Sequence, residues 1–271
     1  MFTKISILVA ILGTALVVFV TGSKPTFKEA WTDDFAVENL DESKWTIVTG
    51  NGCPDLCGFG NNEAQFYTDH PSNVRIEDGF LVIEAHKTND PNQAFTSGKL
   101  VTKHKADWKY GKIEMKAKLP AGRGTWPAFW MLPTLPDRSL DWPMDGEIDI
   151  MEHVGYNAGM IYGTIHTSKY NHQIGTQRTD SLLISDAHES FHVYGIEWSP
   201  SKISWYVDNE TYLTLLRNED DYSGWPFDDN EYHIIINLAV GGNWGGRQGI
   251  DESIWPQKYV IDYVKYYQLE E

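Results

Sequence analysis

Between Gly111 and Leu119, apolar and charged residues alternate. Ile113, Met115, Ala117 and Leu119 fall on one side, and Lys112, Glu114, Lys116 and Lys118 on the other. A period of two marks a strand with one buried face. Residues 80–86 repeat it with Leu81, Ile83 and Ala85, and residues 202–208 with Ile203, Trp205 and Val207. Residues 232–240 are more continuously apolar, which predicts a central strand; residues 259–267 predict a last one. Glu77-Asp78-Gly79, Pro120-Ala121-Gly122, Ser199-Pro200-Ser201 and Asp208-Asn209-Glu210 read as the turns between such runs. Long helical periodicity is absent. Many short strands separated by turns predict an all-β chain, an antiparallel sandwich or barrel. Three stretches, 50–62, 133–145 and 170–187, are long enough to be loops that carry function on a rigid sheet.

The first residues depart from this pattern. Lys4 precedes an apolar run from Ile5 to Val20, and Thr21-Gly22-Ser23 follows it. This predicts a signal peptide over residues 1–23, with an uncleaved anchor as the alternative, and hence a secreted, periplasmic or cell-surface protein. Residues 24–271 then read as one domain, a length that all-β folds reach as a single unit.

Composition narrows the function. The formal net charge of −16 argues against nucleic acid, whose phosphates require clustered Lys and Arg. The chain holds 11 Trp and 14 Tyr, more than a plain core requires, and flat rings suit the apolar face of a sugar. Cys53 and Cys57 are the only cysteines; in an exported protein they are expected to form a local disulfide, with two free thiols as the alternative.

The segment Gly146-Glu147-Ile148-Asp149-Ile150-Met151-Glu152-His153 concentrates the candidate chemistry. On a strand, Glu147 and Asp149 share one face, while Ile148 and Ile150 share the other. Strict alternation would drive Glu152 into the core, where a carboxylate is costly. A β-bulge near Met151 would return Glu152 to the face of Glu147. Two carboxylates on one face can act as nucleophile and acid/base of a retaining glycosidase, which needs them about 5–5.5 Å apart. Asp149 between them would hold a proton and keep their pKa values apart. The bland alternative is an acidic strand edge facing water.

Further motifs surround this strand. They are WPAFWMLP at 126–133, EIDIMEHVG at 147–155, YGTIHT at 162–167, GNNEAQFYT at 60–68, FHVYGIEWSP at 191–200 and GGNWG at 241–245. Together they resemble the laminarinase branch of glycoside hydrolase family 16, in order and over essentially the whole mature chain. The resemblance implies a β-jelly-roll sandwich of two antiparallel sheets with an open cleft on the concave face. It implies Glu147 as nucleophile, Glu152 as acid/base and Asp149 as helper. Trp126, Trp130 and Trp244 would stack on sugars, and His166 and Asn62 would hydrogen-bond near the cut. A structural calcium would sit at Asp262 with the backbone of Gly79; no cofactor is expected for catalysis. The substrate implied is a neutral β-glucan, with β-1,3 linkages favoured by the extra residue in E-x-D-x-x-E and mixed β-1,3/1,4 linkages as an accompaniment. No protein partner is implied, and a monomer is expected. Two other readings compete. One is a glucan-binding module without activity on the same fold. The other is a zinc peptidase through His188-Glu189-Ser190-Phe191-His192, which requires both histidines on one helical face.

Overall fold

The computed structural model describes residues 26–218 and 222–270; the expected signal peptide lies outside them. In chain order the strands begin with β1 Phe27–Asp33, β2 Thr46–Ile47, β3 Gln65–Tyr67, β4 Val74–Glu77, β5 Phe80–Lys87 and β6 Phe95–Ser97. There follow β7 Lys99–Val101, β8 Asp107–Trp108, β9 Gly111–Lys118, β10 Thr125–Pro133, β11 Glu147–His153 and β12 Met160–His166. The chain closes with β13 Arg178–Leu183, β14 His192–Ser199, β15 Lys202–Val207, β16 Glu210–Leu216, β17 Tyr232–Val240 and β18 Gln257–Leu269. Among the described residues helix is confined to short 3₁₀ turns, as the missing helical period predicts.

The strands form two stacked sheets. One runs β16-β15-β14-β9-β18-β5-β6-β3, with β1 joined to β18 and β4 to β5. The other runs β13-β12-β11-β10-β17-β7-β2, with β8 joined to β17. This is the expected jelly-roll sandwich. One departure from antiparallel pairing is the short parallel pair β3 and β6.

The inner faces meet as the alternation predicts. Ile113, Met115 and Ala117 from β9, with Tyr194, Ile196 and Trp198 from β14, pack in one core with Phe129, Met131, Ile148, Ile165, Ile234 and Ile236 of the other sheet. Burying such side chains contributes about 1.5–3 kcal/mol each. The whole of β17 is buried, because its inner face fills the core and its outer face floors the cleft. Cys53 and Cys57 are bonded to each other within the 50–62 loop. Gly50 bridges to Tyr67 at the start of that loop, and Glu63 bridges to Gly241 just after it.

Candidate active site

The bulge is where the sequence places the need for one. Against β12, Glu147 pairs with His166 and Asp149 with Thr164, yet Glu152 pairs with Tyr162. Three residues of β11 therefore match two of β12. Against β10, Asp149 faces Trp130 and Met151 faces Phe129, so Ile150 is the extra residue. Ile148, Ile150 and Met151 all enter the core, while Glu147, Asp149 and Glu152 all reach the cleft. One inserted apolar residue keeps three carboxyls on one face without burying any of them in the core.

Trp205 holds this irregular strand from behind. Its indole Nε1 donates to the Asp149 carbonyl at 2.8 Å, reaching across the sandwich from β15. Gly163 on β12 makes room for it: a Cβ there would lie 2.5 Å from Trp205 Cδ1. The glycine of the YGTIHT motif is thus explained by a close approach rather than by a turn.

The carboxyls have different surroundings. Glu147 accepts a hydrogen bond from Trp142 Nε1 at 2.6 Å. Trp142 stands on the 133–145 loop, which Asp145 fixes by pairing with Arg138 and by accepting from the Asp141 amide at 2.7 Å. Burial pushes Glu147 up, opposed by hydrogen bonds from Asp149 and Trp142 and by the charge of Lys99. Asp149 is only 2% exposed. Burial, then the charges of Glu147 and Glu152, push it well above the carboxylate range, so it keeps its proton and donates to Glu147. Glu152 accepts from Trp126 Nε1 at 3.0 Å. Burial first, with the charges of Glu147 and Glu63, pushes Glu152 up to about 8. Glu152 is therefore supported as the acid near neutral pH, while the hydrogen bonds from Asp149 and Trp142 and the charge of Lys99 favour the anion of Glu147 against its burial.

His166 lies buried on β12 with Nε2 at 3.4 Å from Asp149 Oδ2. Burial, with His172 nearby, lowers it to about 3, so it is neutral. Ligand atoms of Glu147, Asp149 and His166 lie within 4.8 Å of one another.

Most of the predicted binding residues converge on the cleft. A cavity of about 760 Å³ is lined by Trp126, Tyr162, His166 and Trp244 beside the two glutamates. The edges of Trp126 and Tyr162 meet the Trp244 ring at 5.6 and 5.0 Å. A second cavity of about 180 Å³ adjoins it and contains Trp130, whose indole donates to Asn237 at 2.7 Å. Asn62 stands beside the cleft rather than in its wall. Its side chain is exposed and donates to Asn243 at 2.8 Å, while its neighbour Asn61 lines the cleft. Sequence reasoning missed Trp142, Glu63, Lys99 and Asn237. Trp142 was signalled only by lying on a long loop, Glu63 only by lying in the GNNEAQFYT motif, and Lys99 and Asn237 only by lying on strands whose outward face was not yet assigned.

Two expectations fit the structure poorly. Asp262 is paired with Lys116, Nζ to Oδ2 at 2.7 Å, and Gly79 offers only backbone. An ammonium pairs with the carboxylate that calcium would use, so calcium there would compete with Lys116. The His188–His192 motif is not helical: His192 opens β14 and bonds to Asp208 at 2.9 Å, while His188 packs its ring against His153. Neighbouring strand and turn positions cannot give the shared helical face that zinc chemistry of this motif requires.

The sequence model of "Glycosyl hydrolases family 16" matches residues 61–265. The chain belongs to glycosyl hydrolases family 16. Within the family it is 46% identical to a beta-glucanase of Rhodothermus marinus over 90% of this chain and 86% of that protein. It is 39% identical to a glucan endo-1,3-beta-glucosidase of Cryptopygus antarcticus, over 87% of this chain and 90% of that one. The X-ray structure of the laminarinase from Rhodothermus marinus superposes with a TM-score of 0.85 at 44% identity, covering 91% of this chain and 99% of that one. As a family 16 member the chain is a glycoside hydrolase.

Proposed function

We propose that this family 16 enzyme cleaves β-1,3-glucan within the chain by a retaining double displacement. One observation supports this most directly: the bulge at Ile150 sets Glu147 and Glu152 on one face of an open cleft, with opposite support for their protons. Glu147, hydrogen-bonded by Trp142 and protonated Asp149, attacks the anomeric carbon as a carboxylate. Glu152, which keeps its proton near neutrality, protonates the departing oxygen and then takes a proton from the incoming water. Asp149 shuttles no proton to the sugar; it steadies the charge on Glu147. The named relatives above act on β-glucans, which supports the substrate class, with mixed β-1,3/1,4-glucan as a secondary substrate.

Reducing ends released from laminarin, with the β-anomer formed first by NMR, are the expected result. Silence on laminarin with activity on another polymer would move the specificity and keep the two glutamates. Glu147→Ser is expected to abolish hydrolysis while retaining glucan binding by affinity electrophoresis; loss of both would mark Glu147 as a folding residue. Export follows from the apolar run over residues 5–20, and N-terminal sequencing of the protein from culture medium tests it. The protein is read as a monomer, which its sedimentation tests. A calcium at Asp262 would require Lys116 to release it, and a melting-temperature shift on adding calcium tests that.

A further inference from the structure

The catalytic face also has the make-up of a metal site. One ligand atom each from Glu147, Asp149 and His166 lies within 4.8 Å of the other two. Glu147 and Asp149 stand two apart on β11, and His166 pairs with Glu147 from β12, so two adjacent strands bring the three together. Asp149 and His166 are 2% and 7% exposed. Among the described residues Asp149 Oδ2 has no hydrogen-bond partner, and neither has His166 Nδ1. His166 Nε2 stands 3.4 Å from that Oδ2 but without the alignment of a hydrogen bond. Buried polar atoms are normally paired, and an ion set between these would supply the missing partner.

The donor set selects the kind of ion. One imidazole and two carboxylates are three ligands of the types that hold zinc, with a fourth position left open. Calcium takes about six to eight oxygens, and magnesium prefers an octahedral oxygen shell, so neither suits three donors of which one is nitrogen. Two ligands about 2.1 Å from a tetrahedral ion lie about 3.4 Å apart. His166 Nε2 and Asp149 Oδ2 already have that spacing, at 3.4 Å. The wider spans of the set close by rotation of Glu147, the one member that is partly exposed.

We propose that Glu147, Asp149 and His166 form an inhibitory site for a divalent cation of the zinc type, which competes with the glucan for the catalytic face. The ion takes the place of the proton on Asp149, and that proton leaves to solvent. Glu147 then gives its oxygen lone pair to the ion and cannot attack the anomeric carbon. The competition rests on the β-1,3-glucan reading above; the binding of the ion does not.

The test titrates the protein, first stripped with chelator, with Zn²⁺ by calorimetry and follows laminarin hydrolysis at the same zinc concentrations. One ion per chain is expected, raising KM for laminarin with kcat unchanged, and chelator restores the original rate. His166→Ala and Glu147→Ser are each expected to weaken zinc binding at least about tenfold. His192→Gln, at the histidine beside Asp186 and Asp208, is expected to leave it unchanged. Glu147→Ser alters a partly exposed side chain and carries the comparison if His166→Ala does not fold. Zinc that binds equally to the wild type and the loss variants, or is lost only in His192→Gln, sits elsewhere and overturns the site, as does a wild type that takes up no zinc. A fall in kcat at constant KM overturns the competition. Zinc bound with the expected ligand dependence by a protein silent on laminarin overturns the functional reading and leaves the metal site standing.

Discussion

The two glutamates differ by what reaches them, and each difference can be removed singly. Trp142 donates to Glu147 at 2.6 Å. A hydrogen bond to a charged group contributes about 1.5–3 kcal/mol, and one pKa unit is 1.36 kcal/mol. Trp142→Phe keeps most of the ring but removes the donor, so the anion is less favoured and Glu147 holds its proton to higher pH. The acid limb of kcat/KM is expected to move up by about one pH unit or somewhat more. An unmoved limb would show that Asp149 alone supports the anion. Glu152 gives the opposite signature. Its folded pKa of about 8 lies above the ordinary 4.5. The stability it contributes is complete below 4.5 and lost as pH rises through 8. Glu152→Gln is therefore expected to be inactive on laminarin yet to melt about 2–4 °C higher at pH 7. That gain should shrink as the pH falls toward 4.5. A lower melting temperature at pH 7 would mean that the Trp126 contact outweighs the burial of the acid.

At the scale of elements, the bulge in β11 depends on a partner in the opposite sheet. The Asp149 carbonyl lies at the register shift and receives Trp205 Nε1 at 2.8 Å. Trp205→Phe leaves that buried carbonyl without its donor, at a cost of about 1–3 kcal/mol. Because Asp149 is the residue it holds, kcat is expected to fall with little change in KM. Gly163→Ala is expected to act in the same direction, since the added methyl pushes against a fully buried ring. Equal stability loss without any change in kcat would make Trp205 a core residue only. The bulge itself was legible in the sequence because a carboxylate out of phase with its strand has a clear physical cost. Its anchor was not. Trp205 alternates correctly on a strand and reads as core, and nothing local says that its N–H crosses to another sheet. The direction of Asn62 was not legible for a related reason: in a loop of left-handed residues, side-chain direction does not follow from spacing. The long loops were found as candidates, but Trp142 could be set on Glu147 only once Asp145, Arg138 and Asp141 had fixed the path of the backbone.

Over the whole molecule, two buried populations of titratable groups oppose each other. His153, His166 and His233 are 0%, 7% and 5% exposed, and burial lowers each to about 3. Each is neutral when folded and takes up a proton when unfolded below 6.5, so stability falls as the pH drops from 6.5 toward 3. Asp149 and Glu152 do the reverse. They hold protons in the fold that the unfolded chain releases above about 4–4.5, so stability falls as the pH rises from there toward 8. Between about pH 4.5 and 6 the unfolded chain gains nearly three histidine protons while the fold keeps two on the acids, so stability still rises with pH and turns over only as the pH approaches the histidines' 6.5. The expected profile from denaturant midpoints is a maximum near pH 6 with a decline on both sides. The two limbs belong to different parts of the fold and can be separated. Glu152→Gln flattens the alkaline decline and leaves the acid one, because the buried histidines on β11, β12 and β17 remain. A stability that climbs steadily from pH 5 to 8 would show that the histidines dominate and that the acid cluster is more hydrated than its place in the cleft implies.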